Sequence, residues 1–452
     1  MKKIALAGLM AAAFLTAYFS LIRKQTAPPD SSSSAVANGQ TLPARYTGPG
    51  ACSSTACHGA VTPASDRESR IQQNEYTTWV LKDKHAKAYQ VLLTERSQLI
   101  ARNLGMEEKP EQSRRCLPCH ALSVPPERRA RTFDLSDGVS CESCHGPAEK
   151  WLGPHTTRDW THEQSVAVGM YDTRHPVRRA ELCLSCHLGD EEKTVNHELI
   201  AAGHPDLIFE LEYFTLAMPP HWRSEDNWKG ARPKREAFGL TAWAVGQAVA
   251  LRETLNQLAR RVSSPTWPEF AEYDCYSCHH DLREPSWRQR RGYSHAPGRP
   301  PWNTARAAVF RHLVRVIAPD EGRTLDEQIA TLSMLLSQPT VEREKISAAI
   351  KQTQAIVERI LGKIVTTPLT DQVTQALLRN ISGDGERIGF AGVRAAEQAV
   401  MSLDALSSTR GVAVEPAVQS ALTRLLDYLE RPERFEPTRF ATLMGELHQH
   451  FR

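Results

Sequence analysis

Every cysteine in this chain belongs to a pair, and a histidine directly follows every pair. The ten cysteines form Cys52-SSTA-Cys57-His58, Cys116-LP-Cys119-His120, Cys141-ES-Cys144-His145, Cys183-LS-Cys186-His187 and Cys275-YS-Cys278-His279. Four of the five are C-x-x-C-H, the attachment signature of c-type haem. Two thiols add across the two vinyl groups of one porphyrin. The histidine after the second thiol is then held beneath the ring, where its imidazole reaches the iron. A two-residue loop spans the vinyl separation, and the four-residue loop of the first pair can bulge and still span it. The spacing therefore predicts five covalent haems, with His58, His120, His145, His187 and His279 as proximal ligands.

Two other readings of paired cysteines fit less well. Zinc ribbons need two pairs per metal and no histidine after each, and five pairs leave one unmatched. Disulfides suit an exported protein, but a bridge gains nothing from a histidine that follows each pair.

The sixth ligands must come from elsewhere. Seventeen histidines are present, and twelve remain after the proximal five. An iron with two imidazoles suits electron transfer, whereas one lacking its sixth ligand is open to substrate. Six histidines have a context that suits ligation. His85 lies in a helical stretch after Trp79. His155 follows the third pair. His197 and His204, in "VNHELIAAGHPDLIFEL", stand seven residues apart and could serve two different haems. His221 sits in "AMPPHWRS". His280 touches the proximal His279 and could serve only a neighbouring ring. His162, His175, His295, His312, His448 and His450 lack such context.

At these residues the chain resembles the cytochrome c-554 family of multihaem c-type cytochromes. The matching pieces are "YTGPGACSSTACHG", "GVSCESCHGP" with His155 after it, "CLSCHLGD" before "NHELIAAGHP", and "DCYSCHHDL". The resemblance implies an exported protein with little regular sheet and short helices around closely stacked haems. It also implies electron transfer, and kinship with hydroxylamine-oxidising and nitrite-reducing enzymes. The chain departs from these relatives. It has no C-x-x-C-K motif, and five motifs rather than four.

The N-terminus, "MKKIALAGLMAAAFLTAYFSLIRKQ", has the form of an export signal. Its mostly apolar run, Ile4 to Ile22, approaches the roughly 20 residues that span a bilayer, which favours an uncleaved anchor over a cleaved signal. We divide the chain into an anchor (1–24), a flexible linker (25–45), a pentahaem domain (46–300) and an all-helical domain (301–452). The fold class is mainly α with little regular sheet. "LTAWAVGQAVALRETLNQLARR" reads as an amphipathic helix against the haems. After residue 303 no cysteine remains, and helical patterns run near 303–318, 325–337, 341–364, 369–381, 387–407, 414–430 and 436–449.

Charge is nearly balanced, 55 Lys+Arg against 52 Asp+Glu, which argues against a nucleic-acid partner. The expected partners are redox proteins that donate and accept electrons, at a periplasmic location tethered to the inner membrane. The leading expectation is an electron carrier. The alternative is an oxidoreductase acting on a small nitrogen or sulfur compound at one open haem. A third reading, a haem-bearing scaffold that docks a partner through its helices, comes last.

Overall fold

Leu240, Trp243, Ala244, Gln247, Ala248, Leu251, Leu255 and Leu258 recur at three- and four-residue steps, and all are buried. Ala242, Val245, Val249 and Ala250, on other faces, are buried too. A helix apolar on so many sides belongs inside a protein. In the computed structural model this stretch lies in the long helix Arg235–Ser263, enclosed by other helices. The structure describes residues 43–64, 71–222, 235–279, 299–409 and 414–452, with side chains from 239 onward in that long helix. The N-terminal anchor, most of the linker, and His280 and His295 lie outside the described residues.

The described chain is mainly α. No strand occurs in it, only the isolated bridges Tyr46–Arg129 and Tyr273–Trp302. Ala44–Arg452 forms one compact unit. Its first part carries short helices: α1 Glu75–Lys82, α2 Ala88–Leu92, α3 Glu95–Asn103, α4 Leu117–His120, α5 Cys141–His145, α6 His162–Ala167, α7 Pro176–His187, α8 His197–Ala201 and α9 Leu211–Ala217. The central helix Arg235–Ser263 is α10. The rest follow as α11 Ala305–Ile317, α12 Pro319–Leu336, α13 Arg343–Thr366, α14 Asp371–Gly383, α15 Gly385–Phe390, α16 Val393–Ser408, α17 Pro416–Leu429 and α18 Pro437–His448.

These helices follow the sequence pattern, with two differences that have local causes. The second begins at Pro319 rather than near 325, because proline at the first helical position has its φ already set and loses no hydrogen bond. The pattern at 387–407 is broken in two. Gly392, at φ 110°, separates α15 from α16 in a backbone region closed to other residues.

One apolar core runs from Ala180 through α10 to Leu447. It crosses residue 300, where the sequence composition changes. α10 packs on α13, α7, α11 and α9, so it serves as the centre of the helical bundle and, through α7, meets the helix that carries the fourth cysteine pair. α7 joins the two regions. Its Ala180 and Leu184, one turn apart, are buried in this core, while the same helix carries Cys183, Cys186 and His187. Residues 44–175, by contrast, contribute only a small apolar cluster of Leu92, Leu117 and Ala121.

Candidate haem centres

The five cysteine pairs sit at short helical turns. The second, third and fourth occupy α4, α5 and the end of α7, Cys52 and Cys275 lie in the 3₁₀ turns Pro49–Cys52 and Cys275–Ser277, and Cys57 follows in a turn of its own. Such turns bring both thiols and the following imidazole to one side. α5 ends directly after His145 at Gly146, φ 74° and ψ 177°. Only glycine adopts this backbone readily, and a Cβ there would stand 2.7 Å from the Gly169 carbonyl. None of the ten cysteines is in a disulfide.

Pairs distant in sequence are brought together. Cys52 lies close enough to Cys141 for the two thiols to interact, and Cys119 likewise to Cys186. Cys144 in turn lies within electrostatic range of Cys183 and Cys186. The first pair is thus next to the third, the third near the fourth, and the fourth next to the second.

Four of the five proximal histidines face a second imidazole. His58 lies opposite His155, ring centroids 6.3 Å apart and planes 6° apart. His187 faces His85 at 6.0 Å, the rings nearly perpendicular. His120 faces His204 at 6.4 Å, again edge-on. His279 faces His197 at 6.1 Å with planes 27° apart. Ordinary ring contacts scatter over about 4.5–7 Å, whereas these four fall within a few tenths of one another. Their interplanar angles vary freely. One metal ion between two rings explains both facts. Taking a metal–imidazole bond of about 2.0 Å, as at zinc, and a ring centroid roughly 1.2 Å behind the nitrogen, the centroids should stand about 6.4 Å apart.

The outer nitrogens support the same arrangement. The Nδ1 atoms of His58 and His85 meet the carboxylates of Glu75 at 3.0 Å and Asp83 at 2.9 Å. Those of His120, His155 and His204 meet the carbonyls of Ala88 at 3.0 Å, Leu152 at 2.6 Å and Pro205 at 2.7 Å. An acceptor at Nδ1 holds the proton there and leaves the Nε2 lone pair for a metal. Among the described residues no group of three or more His, Cys, Asp or Glu converges as a bare metal ion would need. The donors come in opposed pairs, which suits a macrocycle that supplies its own four nitrogens.

Burial pushes His187 down to about 4, so its imidazole is neutral and able to ligate at neutral pH. His145 is half-buried as a residue, and desolvation of its imidazole lowers it to about 4 as well. It stands in no facing ring pair among the described residues. His221 exerts the largest electrostatic effect on it and packs edge-on against Trp222 at 5.1 Å.

The model of the family described as cytochrome c554 and c-prime matches residues 51–146. The likeness is to cytochrome c554. It implies a c-type cytochrome with covalently bound haem c that works in electron transport. The matched segment holds the first three cysteine pairs, and the fourth and fifth lie beyond it. No curated protein and no solved structure matches the chain.

Several residues around these c554-like centres carry weaker sequence signals. Glu142, inside the third pair, is buried and accepts the amides of Thr47 at 2.9 Å, Gly48 at 2.6 Å and Ala148 at 2.6 Å. This carboxylate ties the segment before Cys52 to α5, and so sets the first pair beside the third. Phe209 stacks on His187 at 4.4 Å, and its carbonyl accepts from Arg306 and Gln398 in the bundle. Asp83 stands two residues before His85, a spacing that could have marked it. Burial tends to raise the Glu75 and Asp83 carboxyls. Hydrogen bonds, first from His58 and His85 respectively, outweigh it and hold both below the usual range.

Four other histidines have structural partners. His162 meets Asp172 at 2.9 Å, and His312 meets Asp384 at 3.0 Å. His175 accepts at the start of α7, and His448 bonds Ser382 at 2.9 Å.

Proposed function

We propose that this chain is an exported electron carrier, tethered to the inner membrane by its N-terminus, that holds five covalent haems and relays electrons between redox partner proteins. The observation that carries the reading is the set of four opposed imidazole pairs, each joining a histidine of a cysteine pair to one from a distant segment. Cys52 and Cys57, Cys116 and Cys119, Cys141 and Cys144, Cys183 and Cys186, and Cys275 and Cys278 would hold the five rings. His155, His204, His85 and His197 would close the first, second, fourth and fifth irons. His221 would close the third opposite His145, since it is the described candidate not otherwise used.

Haem c supplies a one-electron iron couple, and two imidazoles keep that iron in similar geometry in both states. The protein's part is to hold neutral imidazoles in fixed opposition and to bring the cysteine pairs side by side. The contacts from first to third, third to fourth and fourth to second pair supply a path without gaps. The last pair joins through α8 and the turn after it, where His197 and His204 serve different centres.

A second reading rests on His145, which has no facing partner at the common separation among the described residues. Were His221 not to close that iron, it would be open to a small nitrogen or sulfur compound. Mass spectrometry of the exported protein, together with its ferric optical and EPR spectra, tests both readings. Five haem additions and wholly low-spin iron support the carrier. A high-spin fraction that binds added ligand and turns over hydroxylamine, nitrite or tetrathionate favours the enzyme.

A further inference from the structure

The five Nδ1 contacts described above are not equivalent. Three go to backbone carbonyls and two to carboxylates. Glu75 and Asp83 are the two, and both are well shielded: the Glu75 side chain is 15% exposed and that of Asp83 5%. Among the described residues neither forms an ion pair with lysine or arginine. Each is held in place by further donors. Glu75 accepts the Gln72 amide at 2.5 Å, and Asp83 accepts the His85 amide at 2.9 Å. These carboxylates are fixed, and their charge is not cancelled by a neighbouring cation.

An imidazole that donates its outer N–H to a full negative charge becomes a more basic ligand than one that donates to a carbonyl. A more electron-rich ligand favours ferric over ferrous iron. A buried negative charge favours the more positive oxidation state directly, and water screens it little. We propose that Glu75 and Asp83 are redox-tuning residues, which through His58 and His85 hold the haems of the first and fourth cysteine pairs at lower reduction potentials than the haem of the second pair. That second haem has carbonyl acceptors behind both ligands, Ala88 behind His120 and Pro205 behind His204. The two tuned haems lie on either side of the third pair, which touches the first through Cys141 and approaches the fourth through Cys144. Between the fourth haem and its neighbour the second, the relay therefore steps up in potential.

The inference rests on the five-haem reading, and the experiment separates the two. Full-length, haem-loaded protein and its Glu75→Gln and Asp83→Asn variants are titrated by spectroelectrochemistry, with haem mass and spin state recorded for each. Haem number and spin state report on the five-haem reading, and the midpoint potentials report on the tuning. Each variant should keep its haems and low-spin spectrum and raise one midpoint potential. The expected change is roughly tenfold in that haem's reduction equilibrium, or about 59 mV for one electron. The double variant should raise two. Unchanged potentials in loaded, low-spin variants overturn the proposal. EPR of the unaltered ferric protein gives a second measure that needs no variant to fold. One low-spin signal with the compressed g spread of a strongly hydrogen-bonded, anion-like imidazole is expected, from the first haem with its parallel rings. Signals all typical of neutral imidazole pairs overturn it.

Discussion

His58 and His155 face each other with centroids 6.3 Å apart and planes within 6°, although two further cysteine pairs lie between them in sequence. His155 is fixed from behind by the Leu152 carbonyl on its Nδ1 and edge-on by Trp151. On the proposed reading, replacing it removes a ligand without touching the thiols that attach a ring. His155→Ala should therefore retain the full haem mass while one haem becomes high-spin in the ferric spectrum. A spectrum identical to that of the parent protein would show that the opposition of these rings serves no iron.

His197 and His204 stand at the start of α8 and just past its end, yet they face His279 and His120 respectively. On the proposed reading, a short helix here serves two centres. The single variants His197→Ala and His204→Ala should each convert one iron to high spin, and the double variant should convert two. If the double variant matches a single one, the two residues act on the same haem. Haem number by mass should stay constant throughout.

His221 decides between carrier and enzyme. If it closes the third iron, the parent protein is low-spin throughout, and His221→Ala creates one high-spin, cyanide-binding site. If the parent already binds cyanide and the variant changes nothing, that iron is open by nature. The alternative reading then gains.

Glu210 gives the protein a pH dependence unrelated to its irons. It is buried at the start of α9, where it accepts the Tyr213 amide at 2.8 Å and the Gln247 side chain at 3.1 Å. Burial raises it from the ordinary 4.5 to about 7. The folded protein thus binds this proton more tightly than the unfolded chain does. Its contribution to stability is fully present below pH 4.5 and falls as pH rises, until it is lost above about 7. The loss is at most ~3 kcal/mol. Glu210→Gln should flatten the fall in denaturation midpoint between pH 5 and 8. A variant with the same pH profile as the parent would rule this residue out as the cause.

How much of this could be read from the chain depends on the range of each interaction. The cysteine pairs and their histidines are local, so sequence spacing carries them. The helices after residue 303 are also local patterns, apart from the break at Gly392. Which imidazole faces which is set by the path of the whole backbone. Nothing next to His155 in sequence points to His58, and nothing near His85 points to His187. Glu142 is hidden in a different way. It occupies a variable position of the third pair, and only the folding of Thr47 and Gly48 onto it gives it work. The role of α10 was half legible. Its apolar spacing marks a helix, but whether that helix covers haems or fills a bundle depends on partners more than fifty residues away.

That last point leads to a test of how the molecule is divided. Leu251, Leu255 and Leu258 of α10 are wholly buried, and α10 packs on α13 and α11. A fragment of residues 303–452 would present to water the apolar surfaces that α10 covers. Each fully buried leucine is worth about 1.5–3 kcal/mol, and domains are stable by only about 5–15 kcal/mol. Losing three such residues can remove most of that margin. The fragment should be helical by circular dichroism but melt broadly, whereas residues 235–452 should melt cooperatively. In the full chain, Leu255→Ala should cost about 2–5 kcal/mol, read as a lower denaturation midpoint with haem content unchanged. Sharp, high-temperature melting of 303–452 alone would mean that the bundle is complete without α10, and that the helix belongs with the haem-binding region instead.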